Sequence, residues 1–172
     1  MLKGENIYLR ALEPEDVHLL YVWENDASIW HLSNTLTPFS KKNLSEYISN
    51  SHFDIYTSKQ LRLMICKSDA KAIGCIDLFD FDPQNLRAGI GILIADSSER
   101  KKGYATEALT ILKEYCKQKL NLHQLYCSIS VDNESSFQLF TKNGFEHSGT
   151  KKQWLRSIKG YMDEYFLQCI LN

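Results

Sequence analysis

Residues 89–108 read GIGILIADSSERKKGYATEA: a β-branched apolar run, a polar turn, then Arg100-Lys101-Lys102-Gly103-Tyr104-Ala105 opening a helical pattern. That order of residue types suits the capture of a small polyanion such as a pyrophosphate. The first N–H groups of a helix lack intrahelical partners, and the helix dipole adds positive potential there. Gly103 carries no Cβ to hold the backbone away from an anion. The main-chain N–H groups of Lys101, Lys102, Gly103, Tyr104, Ala105 and Thr106 are the expected contacts, with Arg100 supplying charge. A second polar position, Asn133, stands where it caps the helix that follows.

Other chemistries find little support. GIGILI lacks a third glycine and leads into strand residues, so it is no dinucleotide fingerprint, and P-loop, H-E-x-x-H and G-x-S-x-G patterns are absent. His18, His31, His52, His123 and His147 are scattered, so no metal is expected. Cys66, Cys75, Cys116, Cys127 and Cys169 make an odd count without C-x-x-C spacing; four lie in apolar segments that read as strands, and Cys116 lies in a helix. They read as small buried hydrophobes of a reducing compartment.

These residues need a scaffold. A chain of 172 residues is read as a single domain spanning 1–172, long enough to bury about two-thirds of its unfolded surface. Its hydrophobic fraction of 44% and charged fraction of 24% are those of an ordinary globular protein. A net charge of −1 provides no global field for nucleic acid or anionic membrane, so the basic triplet is a local feature. MLKGENIYLR has no apolar signal core and no run approaches a bilayer span, which predicts a cytoplasmic protein without membrane contact.

Ile7–Ala11 alternates as a strand, and Pro14-Glu15-Asp16 starts a helix through about Trp23. Ala27–Leu32 reads as a short helical turn, and Ser40 caps a helix through Tyr47 and Ile48. Gln60–Lys67 and Ala72–Phe79 form a hairpin about Ser68-Asp69-Ala70, and Leu86–Ile94 is the next strand. In Tyr104–Lys119, Ala105, Ala108, Leu109, Leu112 and Cys116 line one helical face. Leu125–Val131 is a strand and Glu134–Lys142 a helix stopped by Asn143-Gly144. Two strands, Glu146–Leu155 and Tyr161–Ile170, turn about Lys159-Gly160. The reading is an α+β domain with a mixed sheet of about seven strands.

Arg100-x-x-Gly103-x-Ala105 resembles the acetyl-CoA signature [RQ]-x-x-G-x-[GA] of the GNAT N-acetyltransferase superfamily. Asn133-Glu134-Ser135-Ser136 through Phe140, Lys142 and Gly144-Phe145 is similar to its N-x-x-[SA]-x-x-x-[YF]-x-k-x-G-F segment. The opening Ile7–Asp16 and Lys71-Ala72-Ile73-Gly74 resemble the subfamily of spermidine/diamine and ribosomal-protein N-terminal acetyltransferases. This resemblance implies a mostly antiparallel sheet with helices on both faces and one splayed parallel strand pair, Leu86–Ile94 with Leu125–Val131. It implies acetyl-CoA as co-substrate, its pantetheine pairing with main-chain groups at Ile92, Leu93 and Ile94 and reached by Asn133. Gly89 and Gly91 suit a bulge or close backbone approach in that strand.

Two departures bear on mechanism. The helix position where many members carry a Tyr acid holds Phe140, and Arg87–Ile92 lacks the Glu base found in others. Direct transfer of acetyl to a primary amine remains the expectation, with Leu93 N–H as oxyanion donor and Asp77 taking the amine proton. Glu24, Asp26 and Trp30 are placed on the acceptor wall, and Asp80 and Asp82 on a loop attracting a cationic amine. The acceptor is a small-molecule amine, favoured as a polyamine or diamine, with a peptide N-terminus as the rival. A CoA-binding module without turnover and a nucleotide binder are the competing classes. A homodimer is in keeping with the resemblance.

Overall fold

The computed structural model describes residues 1–30, 35–157 and 160–171. In chain order the elements are β1 (Leu2–Lys3), β2 (Ile7–Arg10), α1 (Val17–Glu24), α2 (Lys41–Asn50), α3 (Ile55–Ser58), β3 (Leu61–Lys67), β4 (Ala72–Asp82) and β5 (Arg87–Ile94). There follow α4 (Tyr104–Gln118), β6 (Gln124–Ser130), α5 (Glu134–Lys142), β7 (Glu146–Ser157) and β8 (Gly160–Ile170). One eight-stranded sheet runs β1-β2-β3-β4-β5-β6-β8-β7. Every neighbouring pair is antiparallel except β5 with β6.

Strand alternation divides the sheet into two cores. Ile76 and Leu78 of β4, Ile90 of β5 and Leu125 and Cys127 of β6 meet Ala108, Leu109, Leu112 and Cys116 of α4 and Phe140 of α5. On the other face Met64, Cys66 and Cys75 meet Leu20 of α1 and Leu44 and Ile48 of α2. Because successive side chains of a strand point to opposite faces, Asp77, two residues from Cys75, stands on the α1–α2 face. All five cysteines are buried and free.

Local chemistry sets the joints. Arg10 grips Asp16 through two hydrogen bonds of 2.7 and 2.8 Å, and Asp16 also accepts from Glu13 N at 2.8 Å. The R-x-L-x-x-x-D opening is thus a brace that ties β2 to the entry of α1. Ser40 Oγ accepts from Asn43 N at 3.1 Å to start α2, and Gly144 leaves α5 at φ +86.

Several elements exceed the sequence reading. The eighth strand, β1, pairs Leu2 with Leu9 and Lys3 with Tyr8; two residues carry no periodicity to read. The single-turn α3 is capped by the Asp54 side chain. Leu86, expected in a strand, has φ +51 and precedes β5. Of the two uses expected for Gly89 and Gly91, a bulge or a close backbone approach, the bulge lies instead in β4, between Phe79 and Asp82, where Asp80 takes φ +48. Gly89 serves the Phe79 ring, which occupies the space a Cβ would need, 2.2 Å from Phe79 Cε2. Of the expected turn Ala27–Leu32 and the connection at Lys159-Gly160, residues 31–32 and 159 lie outside the described residues. Among the described residues no helix is long and apolar enough to cross a membrane.

Candidate functional site

The parallel pairing of β5 and β6 is brief. It joins Arg87 to Gln124, Ala88 to Leu125 and Gly89 to Tyr126, then stops, although β5 continues to Ile94 and β6 to Ser130. Beyond Gly89 the β6-facing edge of β5 therefore has no strand partner, a gap that an extended ligand can complete by main-chain pairing. The gap opens into a cavity of about 550 Å³. Ile92 and Leu93 from β5, Ser128 and Ser130 from β6, and Asn133, Ser136 and Phe140 around α5 line it. Ile94, expected beside Ile92 and Leu93, has its carbonyl taken by Arg100 Nε at 2.9 Å and does not line the cavity.

The basic turn follows β5. Gly103 is the N-cap of α4 at φ +88 and no side chain caps that helix. Lys101, two residues earlier, also has positive φ, at +62. Such alternating backbone turns aim successive N–H groups into a concavity, adding to the uncapped helix start. The cations are less free than the sequence implies. Lys102 Nζ donates to Glu99 at 2.8 Å, and Lys67 and Lys71 lie 3.3 and 3.5 Å from the other Glu99 oxygen. The Lys102 hydrogen bond comes first among the contacts that hold the Glu99 carboxyl below its ordinary range. Lys102 is thus an internal counterion, leaving backbone amides, Lys101 and the rest of the Arg100 guanidinium for an anion.

On the α1–α2 face the cavity wall carries two charged clusters. Arg62 of β3 stands directly across from Asp77 of β4 and donates to its two oxygens at 2.6 and 3.1 Å. Its third contact is Glu24 of α1, at 2.5 Å. Burial opposes the Arg62 charge, but the adjacent Asp77 carboxylate more than offsets it, so the guanidinium holds its proton well above the ordinary Arg range. Across the gap Glu164 of β8, 6% exposed, accepts from Lys151 at 2.8 Å, and Lys151 also donates to Ser128 Oγ at 3.0 Å.

Sequence reasoning placed Glu24 and Asp77 here, and the structure brings both to the cavity. Asp77 does not stand free there, because Arg62 holds both of its oxygens. Arg62, Glu164 and Lys151 were missed. Trp30 donates Nε1–H to the Glu24 carbonyl at 2.9 Å, and Asp26 borders a separate depression with Arg100. Asp80 and Asp82 are also elsewhere, in a third depression with Arg87 and Tyr126 at the paired end of β5 and β6. Asp82 is committed to the turn amides of Gln84 and Asn85 and to Arg87 at 3.2 Å. The expectation that these two join Asp77 in attracting a cation is corrected by that placement.

Asn133 caps α5, its Oδ1 accepting from Ser136 N at 3.2 Å. Phe140, four residues on from Ser136, packs edge-on against Phe145 with ring centroids 5.0 Å apart and has no proton to give. Burial pushes the Cys127 thiol up to about 12 and raises that of Cys75, so neither cavity cysteine offers a ready thiolate. Among the described residues no three or more His, Cys, Asp or Glu gather as metal ligands.

A family model described as an acetyltransferase (GNAT) domain matches residues 6–146. The Probable N-acetyltransferase YjcK of Bacillus subtilis is 27% identical over 186 aligned positions, covering 100% of this chain and 97% of that protein. The spermidine N(1)-acetyltransferase of Escherichia coli K12 is 26% identical over 149, covering 87% of this chain and 77% of that protein. A crystal structure of spermidine N-acetyltransferase from Vibrio cholerae in complex with CoA and spermine superposes with a TM-score of 0.88. It is 22% identical, covers 98% of this chain and 97% of its own, and establishes the likeness of fold.

Proposed function

This chain belongs to the GNAT acetyltransferase family, and from that premise we propose that it moves an acetyl group from acetyl-CoA directly to a primary amine, the acceptor being a diamine or polyamine. The observation that carries the reading is the splay: β5 and β6 part after Gly89 and Tyr126, and the cavity lies between them. The pantetheine arm would extend the sheet along Ile92, whose main-chain groups face the gap, with Asn133 at its flank. The pyrophosphate would rest on the main-chain N–H groups from Lys101 to Thr106, with Arg100 adding charge. Lys102 supports the turn from within.

In the transfer, the amine nitrogen attacks the thioester carbonyl carbon, held in line by the cavity walls. Ile92 is the proposed main-chain donor to the developing oxyanion, because the β4 pairing turns the Leu93 N–H expected for that role toward Cys75 and leaves that of Ile92 facing the gap. Asp77 takes the amine proton, directly or through water; each carboxylate oxygen has a second lone pair beyond its bond to Arg62. The carbon–sulfur bond then breaks. Raised thiols at Cys75 and Cys127 support a route without an acyl-enzyme.

The acceptor class rests on the spermidine N(1)-acetyltransferase relative and on the cavity charges. Glu24, Asp77 and Glu164 outnumber Arg62 and Lys151 around it, which favours a cationic amine. The test is thiol release from acetyl-CoA with polyamines, diamines, N-terminal peptides and amino sugars. Turnover highest with diamines or polyamines is expected. Turnover with peptides alone moves the acceptor to protein N-termini, and CoA binding without release for any amine refutes catalysis.

A further inference from the structure

We propose that Ser128, recharged by Lys151, gives the leaving thiolate its proton. The inference rests on the acetyl-transfer reading above and answers the gap that Phe140 leaves in it. Ser128 lies on β6 two residues past Tyr126, the last residue paired with β5, so it stands on the flank of the gap itself. It lines the cavity. Among the described residues three serine hydroxyls line that cavity, and their partners separate them. Ser130 donates its proton away, to Asp132 at 2.5 Å. Among the described residues no cation bonds the Ser136 hydroxyl on α5. Ser128 accepts from the Lys151 ammonium at 3.0 Å, which leaves its own O–H free to donate into the cavity.

Lys151 is held for that purpose. It faces Glu164 across the β7–β8 ladder, bonds it at 2.8 Å, and rests near the Trp154 and Phe166 rings, 5.2 and 5.6 Å from their centroids. The irregularity in β7 between Lys151 and Leu155 begins at this residue. Glu164 fixes the ammonium, and the ammonium polarises the hydroxyl.

When the tetrahedral adduct collapses, the carbon–sulfur bond breaks and its electron pair stays on sulfur. The Ser128 hydroxyl proton passes to sulfur as a Lys151 proton passes to the Ser128 oxygen. The amine proton leaves to water by way of Asp77, and water returns one proton to Lys151. The products are the amide and free CoA thiol, with no net proton consumed.

The experiment measures kcat and KM with the best amine from the acceptor screen. Ser128→Ala should lower kcat about 10²-fold, the usual scale for one positioned acid, and leave KM for acetyl-CoA within about twofold. Ser128→Thr, which keeps a hydroxyl, should recover most of the loss, whereas Lys151→Arg, which keeps the cation and the Glu164 pair but does not give up its proton, should be nearly as slow as Ser128→Ala. The double variant Lys151→Gln, Glu164→Gln leaves no lone buried charge and should be as slow as Ser128→Ala. A Ser128→Ala enzyme with full kcat, or a loss that Ser128→Thr does not recover, overturns the proposal. A wild type that releases no thiol with any amine instead overturns the acetyl-transfer reading.

Discussion

Replacing Gly103 separates the anion cradle from the fold that presents it. Gly103 sits at φ +88, where an L-residue costs about 1–2 kcal/mol, with a β-branched side chain at the upper end. A Cβ built there meets no atom within 4 Å, so strain is the whole cost to the free protein. For a chain of this size about 2 kcal/mol lowers Tm by roughly 4–8 °C. Strain present in both free and bound protein cancels from the affinity, whereas a side chain standing before the amides of the turn does not. Gly103→Val should therefore weaken CoA binding at least about 10²-fold, equivalent to about 2.7 kcal/mol. Gly103→Asn tolerates left-handed backbone, so it should unfold near the wild-type Tm while still losing affinity. Thermal unfolding without ligand and calorimetric titration with CoA read the two effects apart. A CoA Kd unchanged in both variants, with Tm shifted as calculated, refutes the cradle.

Asp77→Asn should move the rate profile to higher pH, since the acceptor must then lose its proton in bulk water; full activity across the profile would leave Asp77 as Arg62's structural partner alone. Phe140→Tyr adds a hydroxyl at the cavity wall and should raise kcat by less than about tenfold without changing acetyl-CoA affinity; a fall in kcat would show that the ring's packing on Phe145 matters more. Incubation with acetyl-CoA alone should leave the protein mass unchanged, whereas a cysteine adduct that transfers to amine would establish a covalent route. Asp16→Asn removes one partner of a buried pair and should cost about 3 kcal/mol near neutral pH, the lower end of the usual range because Arg10 is 24% exposed. Burial alone would raise the Asp16 carboxyl, but Arg10 and the Glu13 amide outweigh it and hold the value down. The wild type thus keeps this stability above the ordinary carboxyl range and loses it as pH falls through the lowered value. The gap in Tm between wild type and Asp16→Asn should close in acid, and a pH-independent gap would sink the argument.

Local patterns were legible wherever a residue's neighbours in sequence decide its structure. The apolar stripe of Tyr104–Gln118, the caps at Ser40 and Asn133 and the exit at Gly144 follow from spacing within one or two turns. The uncapped start of α4 at Gly103 is of the same kind, because an α-helix leaves its first N–H groups unpaired whatever surrounds it. Arg62 was not legible in the same way: pairing counted from the turn at Ser68–Ala70 sets it opposite Ile76, and only the irregularity between Ile65 and Cys66 brings it opposite Asp77.

The charge partners across the sheet belong to tertiary structure. The Lys102 side chain pairs with Glu99 three residues before it, but Lys67 and Lys71, which reach the other oxygen of that carboxylate, arrive from the β3–β4 hairpin. Asp80 and Asp82 share a segment with Asp77, yet a bulge after Phe79 sends them to the other end of the paired strands. Lys151 and Ser128 are 23 residues apart and meet because β8 lies between β6 and β7. Sequence spacing determines which groups a helix or strand can present to one face. Strand order and register decide which charges face one another across that surface, because a Coulomb partner must lie within a few ångströms and only packing sets that distance.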